Sequence, residues 1–166
     1  AISFEGLPQT PDQFAEAACA ATETPYSEAV GEADSVGYEL SVDASRFASW
    51  TFAFGGDIFD NEMNQYTYNS PEAIEAMRFL QGLFERGCAV GVSERLRDET
   101  NFGLGTTLFT VGSSSDLPAY TSATEAGAGH NWTIGPLPDV MDDPVVNIYG
   151  ASVSIPKTTP DRKSVV

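Results

Sequence analysis

The stretch Phe47–Phe84, FASWTFAFGGDIFDNEMNQYTYNSPEAIEAMRFLQGLF, decides how the rest of the chain is read. It spells an aromatic helix, a glycine stop, a hairpin and a capped helix. Asp43 and Ser45 are placed to cap the first helix, and Gly55-Gly56 to end it. Asp60-Asn61-Glu62 makes a polar turn between Asp57-Ile58-Phe59 and Gln65-Tyr66-Thr67-Tyr68. Ser70-Pro71-Glu72 then opens the second helix, with Ser as N-cap, Pro at the first helical position and Glu in the positive first turn. At about 100° per residue, Ala73, Ile74, Ala76, Met77, Leu80, Leu83 and Phe84 share one face, with Phe79 an apolar exception on the other. Gly87 is the expected left-handed stop, and the helix is expected to pack on a sheet.

Upstream, Thr10-Pro11-Asp12-Gln13 has the form of a capping box, and a helix runs through Phe14, Ala17, Ala18 and Ala21. Pro25, Gly31 and several Glu make residues 23–36 a loop. Val36 to Val42 reads as a strand ending in Asp43-Ala44-Ser45. Those residues therefore sit at the carboxyl end of a strand, the edge where open α/β sheets bind ligands. Downstream, a charged helix is expected from Val92 to Asn101, stopped by Phe102-Gly103-Leu104-Gly105. Thr106 to Val111 is an unbroken β-branched and aromatic strand. Gly112-Ser113-Ser114-Ser115-Asp116 leads into a helix from Leu117 to Ala126. Short strands are expected at Trp132–Ile134 and, after Gly135-Pro136-Leu137-Pro138, at Val145–Ile155.

The 166 residues suffice for one domain with a real core, and 42% hydrophobic with 11% aromatic content fits a folded chain. A formal charge of −16 argues against nucleic acid and anionic membrane, because both are polyanions. The plain reading of that acidity is a solvated surface. No apolar run approaches the ~20 residues that cross a bilayer. Cys19 and Cys88 are the only cysteines, and either a bridge or a buried free thiol suits them.

Candidate chemistry is sparse. His130, the one histidine, lies in a glycine-rich loop with no nucleophile signature beside it, and the serine run lacks the Gly-x-Ser-x-Gly elbow. No phosphate-binding glycine loop occurs. Asp57, Asp60, Asn61, Glu62 and Asn64 crowd oxygen ligands suited to calcium, but without the EF-hand spacing, so a solvated turn is the better reading. Neither a catalytic group, a metal site nor a cofactor is expected. A sugar or polyol site asks for a flat ring and short polar groups that bond hydroxyls. Trp50 with Phe47 offers the ring, while Asp43, Ser45 and Arg46 offer polar groups. Ser113, Ser114 and Ser115 stand at a helix start that suits hydroxyls or an anionic group such as phosphate. Two plainer readings compete: Trp50 as core, and the serines as N-caps of the helix at 117.

The ordered set Trp-x-x-x-x-Gly-Gly-Asp at Trp50–Asp57, hairpin, Ser70-Pro-Glu-Ala-Ile-Glu-Ala, Phe102-Gly-x-Gly105 and Trp132-Thr-Ile-Gly-Pro-Leu-Pro resembles the extracellular solute-binding proteins of ABC importers. It is most similar to their large sugar- and glycerol-phosphate-binding group, and the resemblance runs from about Thr10 to Lys163.

The resemblance implies the α/β C-terminal lobe of a type II periplasmic-binding-protein fold, incomplete at both ends. Residues 1–133 would form that lobe, and 134–166 would cross toward the N-terminal lobe. It implies non-enzymatic capture of a sugar, polyol or glycerol-phosphate-like solute and handover to ABC permease subunits. The full-length form would be periplasmic or extracellular, as a membrane-anchored lipoprotein. It places the cleft at Asp43–Ser45, the aromatic helix, Ser113–Ser115 and the pair Tyr149-Gly150. Serines after the strand at 106–111, where many members carry an aromatic, favour a small ligand over a long stacked oligosaccharide. A partial chain is expected to bind less tightly than micromolar and to form a homodimer through open strand edges. The rival from another class is a secreted acidic glycoside hydrolase or carbohydrate-binding module, with its paired carboxylates hidden among 24 acidic residues.

Overall fold

Local capping chemistry sets most helix starts. The computed structural model describes residues 6–30, 34–94, 96–141 and 146–148. Helix α1 (Pro11–Glu23) begins where the Thr10 hydroxyl accepts from the Gln13 amide, and the Gln13 side chain accepts in turn from the Gln9 amide. Strand β1 (Val36–Ser41) leads to α2 (Ala44–Ala53), capped by Asp43 through the Arg46 amide. A short hairpin of β2 (Phe59–Asp60) and β3 (Gln65–Tyr66) follows, in antiparallel register. Helix α3 (Pro71–Glu85) starts at Ser70, whose hydroxyl accepts from the Ala73 amide. Gly87, at φ +70°, turns the chain sharply into β4 (Ala89–Val92). Helix α4 (Arg97–Gly103), β5 (Thr107–Thr110), a 3₁₀ turn (Ser114–Asp116) and α5 (Leu117–Ala126) complete the elements.

The three longer strands form one parallel sheet in the order β4-β1-β5, with Tyr38 opposite both Ala89 and Phe109. Each parallel step needs a crossover. The hairpin and helices α2 and α3 connect β1 to β4, and α4 connects β4 to β5. The core gathers Phe14, Ala18, Tyr38, Trp50, Ala76, Leu80 and Leu83. Its aromatics meet edge to face: the Phe14 ring lies 5.1 Å from Tyr38 and 5.5 Å from Trp50. A disulfide joins Cys19 on α1 to Cys88 just before β4, so the bridge is formed where the sequence left a free thiol open.

Several expectations need correction. The run Ala89–Val92 is a strand, and the helix expected from Val92 begins only at Arg97. Four residues with a glycine among them carry no periodicity, so only pairing with β1 defines them. The second helix packs mainly on α2 as well as on β4. That direction brings Phe79 onto Trp50 and Phe54, at 5.3 and 5.6 Å between rings, and leaves Ile74 and Phe84 at the exposed rim. Trp132–Ile134 forms no strand and carries no ladder partner among the described residues. Of the expected strand Val145–Ile155, only 146–148 are described, without ladder pairing; the rest lies outside the described residues.

The hairpin is held by rings instead of length. Phe59, Tyr66, Tyr68 and Phe47 form a chain of ring contacts of 5.0 to 5.9 Å back onto α2. Asp57 and Asp60 spend carboxylate oxygens on the backbone amides of Ile58, Phe59, Glu62 and Met63, the work of turn residues. No described helix is long and apolar enough to cross a membrane.

Candidate functional site

The sheet ends in an open groove of about 810 Å³ at the carboxyl ends of its strands. Arg46 enters it from the first turn of α2. Thr110 and Gly112 come from the end of β5, and Ser113, Ser114 and Ser115 from the turn that follows. Tyr120 of α5, the loop residue Trp132 and Asn147 complete the polar and aromatic lining.

Asp43 holds Arg46 in place. Its carboxylate accepts from the Arg46 amide at 2.9 Å, and its other oxygen lies 3.9 Å from the guanidinium. Arg46 lines the groove wall, while its Nε is buried with no hydrogen-bond partner among the described residues. The Asn147 amide donates to the Ser45 carbonyl at 3.1 Å and to Ser49 Oγ at 2.7 Å, which seats the segment 146–148 against α2.

The serine run is already occupied with capping. Ser113 Oγ accepts from the Ser115 amide and the Asp116 carboxylate accepts from the Ser113 amide, a closed capping box. The negative charge that a helix start favours is thus supplied by Asp116. This argues against a phosphate seated on those backbone amides and leaves the Ser113 and Ser114 hydroxyl protons as the available donors, since Ser115 Oγ donates to Ser113 Oγ or Asp116. Gly112 is required beside them, because a Cβ there would come 2.8 Å from the Tyr120 hydroxyl.

Beneath the groove lies a polar layer that the charged look of α4 concealed. Asp98, Glu99 and Asn101 are buried, and Asp98 and Asn101 bond residues of the sheet. Thr110 Oγ1 donates to Asp98 Oδ2 at 3.0 Å and lies 3.3 Å from the Tyr120 hydroxyl. Asn101 donates to Glu39 Oε1 at 2.7 Å. Burial pushes the Tyr120 phenol up to about 12; the Thr110 hydrogen bond opposes that rise and the charges of Asp98 and Glu99 add to it. Glu99 is likewise raised, by burial first and then by Asp98 and Asp116. Burial lowers His130, which is wedged between the rings of Tyr26 and Phe102.

Of the residues expected from sequence, Arg46 and the three serines share this groove. Asp43 is exposed beside Arg46, and Ser45 turns its carbonyl to Asn147. Trp50 is a correction: it is 0% exposed, and its indole N–H donates to the Tyr38 hydroxyl at 3.0 Å. The inward face of α2 packs into the core against α3, and the largest ring on it lies there between Phe14 and Phe79. Tyr149 and Gly150 lie outside the described residues. The sequence reading missed Trp132, whose half-buried ring stands 5.8 Å from Phe102 and 6.1 Å from Tyr120. Its place after a glycine-rich loop, ahead of Gly135-Pro136, was the available signal. Among the described residues no carboxylate lines the groove, and no cluster of three or more His, Cys, Asp or Glu is placed to hold a metal ion.

No family model and no curated protein matches the chain. Solved structures do. The GacH receptor of Streptomyces glaucescens, known unliganded and in complex with acarbose, is 18% identical at a TM-score of 0.64, covering 81% of this chain and 33% of that one. UgpB from Mycobacterium tuberculosis, in complex with glycerophosphocholine, is 22% identical at 0.63, covering 81% and 31%. Maltose-bound MalE3 of T. maritima is 19% identical at 0.53, covering 65% and 28%. The chain therefore spans about a third of the length of these structures. At such identities the likeness concerns architecture: the chain has the α/β fold, with a parallel sheet, of one lobe of these proteins.

Proposed function

We propose that the chain forms one wall of a solute-binding protein that captures a small polyhydroxylated solute and delivers it to an ABC-type permease. The observation that carries this reading is the meeting of Arg46 with Ser113–Ser115 and Trp132 in one groove at the carboxyl edge of a parallel sheet. Residues far apart in the chain converge there, and they supply donors, short hydroxyls and a ring, the set a sugar or polyol needs. The fold likeness to proteins solved with acarbose, glycerophosphocholine and maltose supports the same class. Residues 1–133 would be the lobe proper and 134–166 the passage to a second wall, whose closure would complete the contacts.

A neutral sugar or polyol fits better than a phosphate ester, because Asp116 already holds the helix start and Asp43 lies beside Arg46. The absence of a lining carboxylate among the described residues favours capture over glycoside hydrolysis. The Cys19–Cys88 bridge suits an oxidising compartment outside the cytoplasm.

The test is NMR titration of the chain with maltose, glycerol 3-phosphate and glycerophosphocholine. Maltose should bind more weakly than micromolar, because one wall gives only part of the contacts, and should move the Trp132 indole signal. Arg46→Ala should weaken it about fivefold or more. If none of the three probes moves Trp132 or the serine amides, the groove is not a solute site.

A further inference from the structure

Three side chains that no sequence pattern links, Asp98, Thr110 and Tyr120, form a hydrogen-bonded line from the interior to the groove. Thr110 Oγ1 lies 3.0 Å from Asp98 Oδ2 and 3.3 Å from the Tyr120 hydroxyl. Asp98 is 4% exposed and Tyr120 6%. Thr110 and Tyr120 both line the groove, whereas Asp98 does not.

Counting protons gives the line a direction. A carboxylate oxygen can only accept, so the single Thr110 proton goes to Asp98. Thr110 then has no proton for Tyr120 and must accept the phenolic one. Both hydroxyl protons are thereby drawn inward, and what Thr110 and Tyr120 present to the groove is lone pairs. Gly112 leaves room for the Tyr120 hydroxyl, since a Cβ at 112 would displace it.

We propose that Thr110 and Tyr120, set by Asp98 as a positioning residue, form an acceptor-only floor that selects a ligand carrying a hydroxyl donor at that point. This rests on the groove being the solute site. Arg46 and the serines line the same groove and supply donors beside this floor, so a polyol meets both kinds of group there. A ligand with an ether, ketone or fluorine at the floor position leaves lone pair facing lone pair and is rejected.

The experiment uses the chain with D-glucose and its monodeoxy-monofluoro analogues, since fluorine replaces a hydroxyl in size but donates nothing. Binding is followed by NMR at the Trp132 indole. In the parent, fluorine at one ring position should weaken binding about tenfold or more. Thr110→Val releases the Tyr120 proton toward the groove and should cut that penalty to about twofold or less, while Thr110→Ser retains it. Tyr120→Phe, which keeps the ring packing, serves as the second variant; it removes one of the two acceptors and should reduce the penalty. Equal binding of all analogues by the parent, or a penalty unchanged in both Thr110→Val and Tyr120→Phe, overturns the acceptor floor alone. If glucose, maltose and glycerophosphocholine all leave Trp132 unmoved, the solute-site reading falls and takes this proposal with it.

Discussion

The Cys19–Cys88 bridge offers the sharpest quantitative test of the fold. It ties α1 to the start of β4 across 69 positions of sequence. Cys88 is buried, and its carbonyl accepts the Tyr38 amide, so the link sits where the sheet begins to pair. Opening a loop of that length in the unfolded chain restores roughly 15 cal/mol/K of entropy, or about 4 kcal/mol at room temperature. For a domain of this size each kcal/mol moves the melting temperature by about 2–4 °C. Reduction should therefore lower the melting point by roughly 8–16 °C. Calorimetry with and without a thiol-free reductant measures this directly. Cys19→Ala with Cys88→Ala should match the reduced parent to within the loss of side-chain packing, which Cys88→Ala under reductant reports separately. A melting point unchanged by reduction, with mass spectrometry showing two free thiols before treatment, would refute the placement of α1 against β4.

Two further predictions separate core from site. Trp50→Ala should cost about 3–5 kcal/mol in chemical denaturation. Trp50→Phe should leave maltose binding within about twofold, whereas loss of binding with stability intact would return Trp50 to the site. Glu39 supplies the pH test. It is 4% exposed, with Oε1 bonded to Asn101 and Oε2 without a partner among the described residues. Burial raises its carboxyl above the ordinary value near 4.5, Asp98 adds to the rise, and Asn101 and Arg97 oppose it. The folded chain then holds this proton more tightly than the unfolded chain does. The contribution to stability is complete below pH 4.5 and is lost as pH climbs through the raised folded value. Glu39→Gln should accordingly gain about 1–3 kcal/mol over the parent at pH 7 and nothing at low pH; denaturation midpoints that stay parallel across that range would count against the buried charge.

What the sequence determined by itself is whatever depends on neighbours a few positions away. Thr10, Asp43 and Ser70 cap their helices because a hydroxyl or carboxylate reaches amides three positions on. Gly87 ends α3 because the turn needs a positive φ. The hairpin and the start of α5 were legible for the same reason, as was the placing of Arg46 and the serines at strand ends.

Periodicity placed Ala73, Ala76, Leu80 and Leu83 on the buried face of α3, but tertiary structure decided which way the other side chains face and which distant residues meet. Two tryptophans sit in similar aromatic company, yet Trp50 is sealed among Phe14, Tyr38 and Phe79 where α2 packs into the core, while Trp132, on a loop, lines the groove. Ala89–Val92 is a strand only through its pairing with β1. The charged-looking α4 turns Asp98 and Asn101 inward, where Thr110 and Glu39 on the sheet bond them. Burial and hydrogen-bond partnership are properties of the packed whole, and no local pattern in 166 residues encodes them.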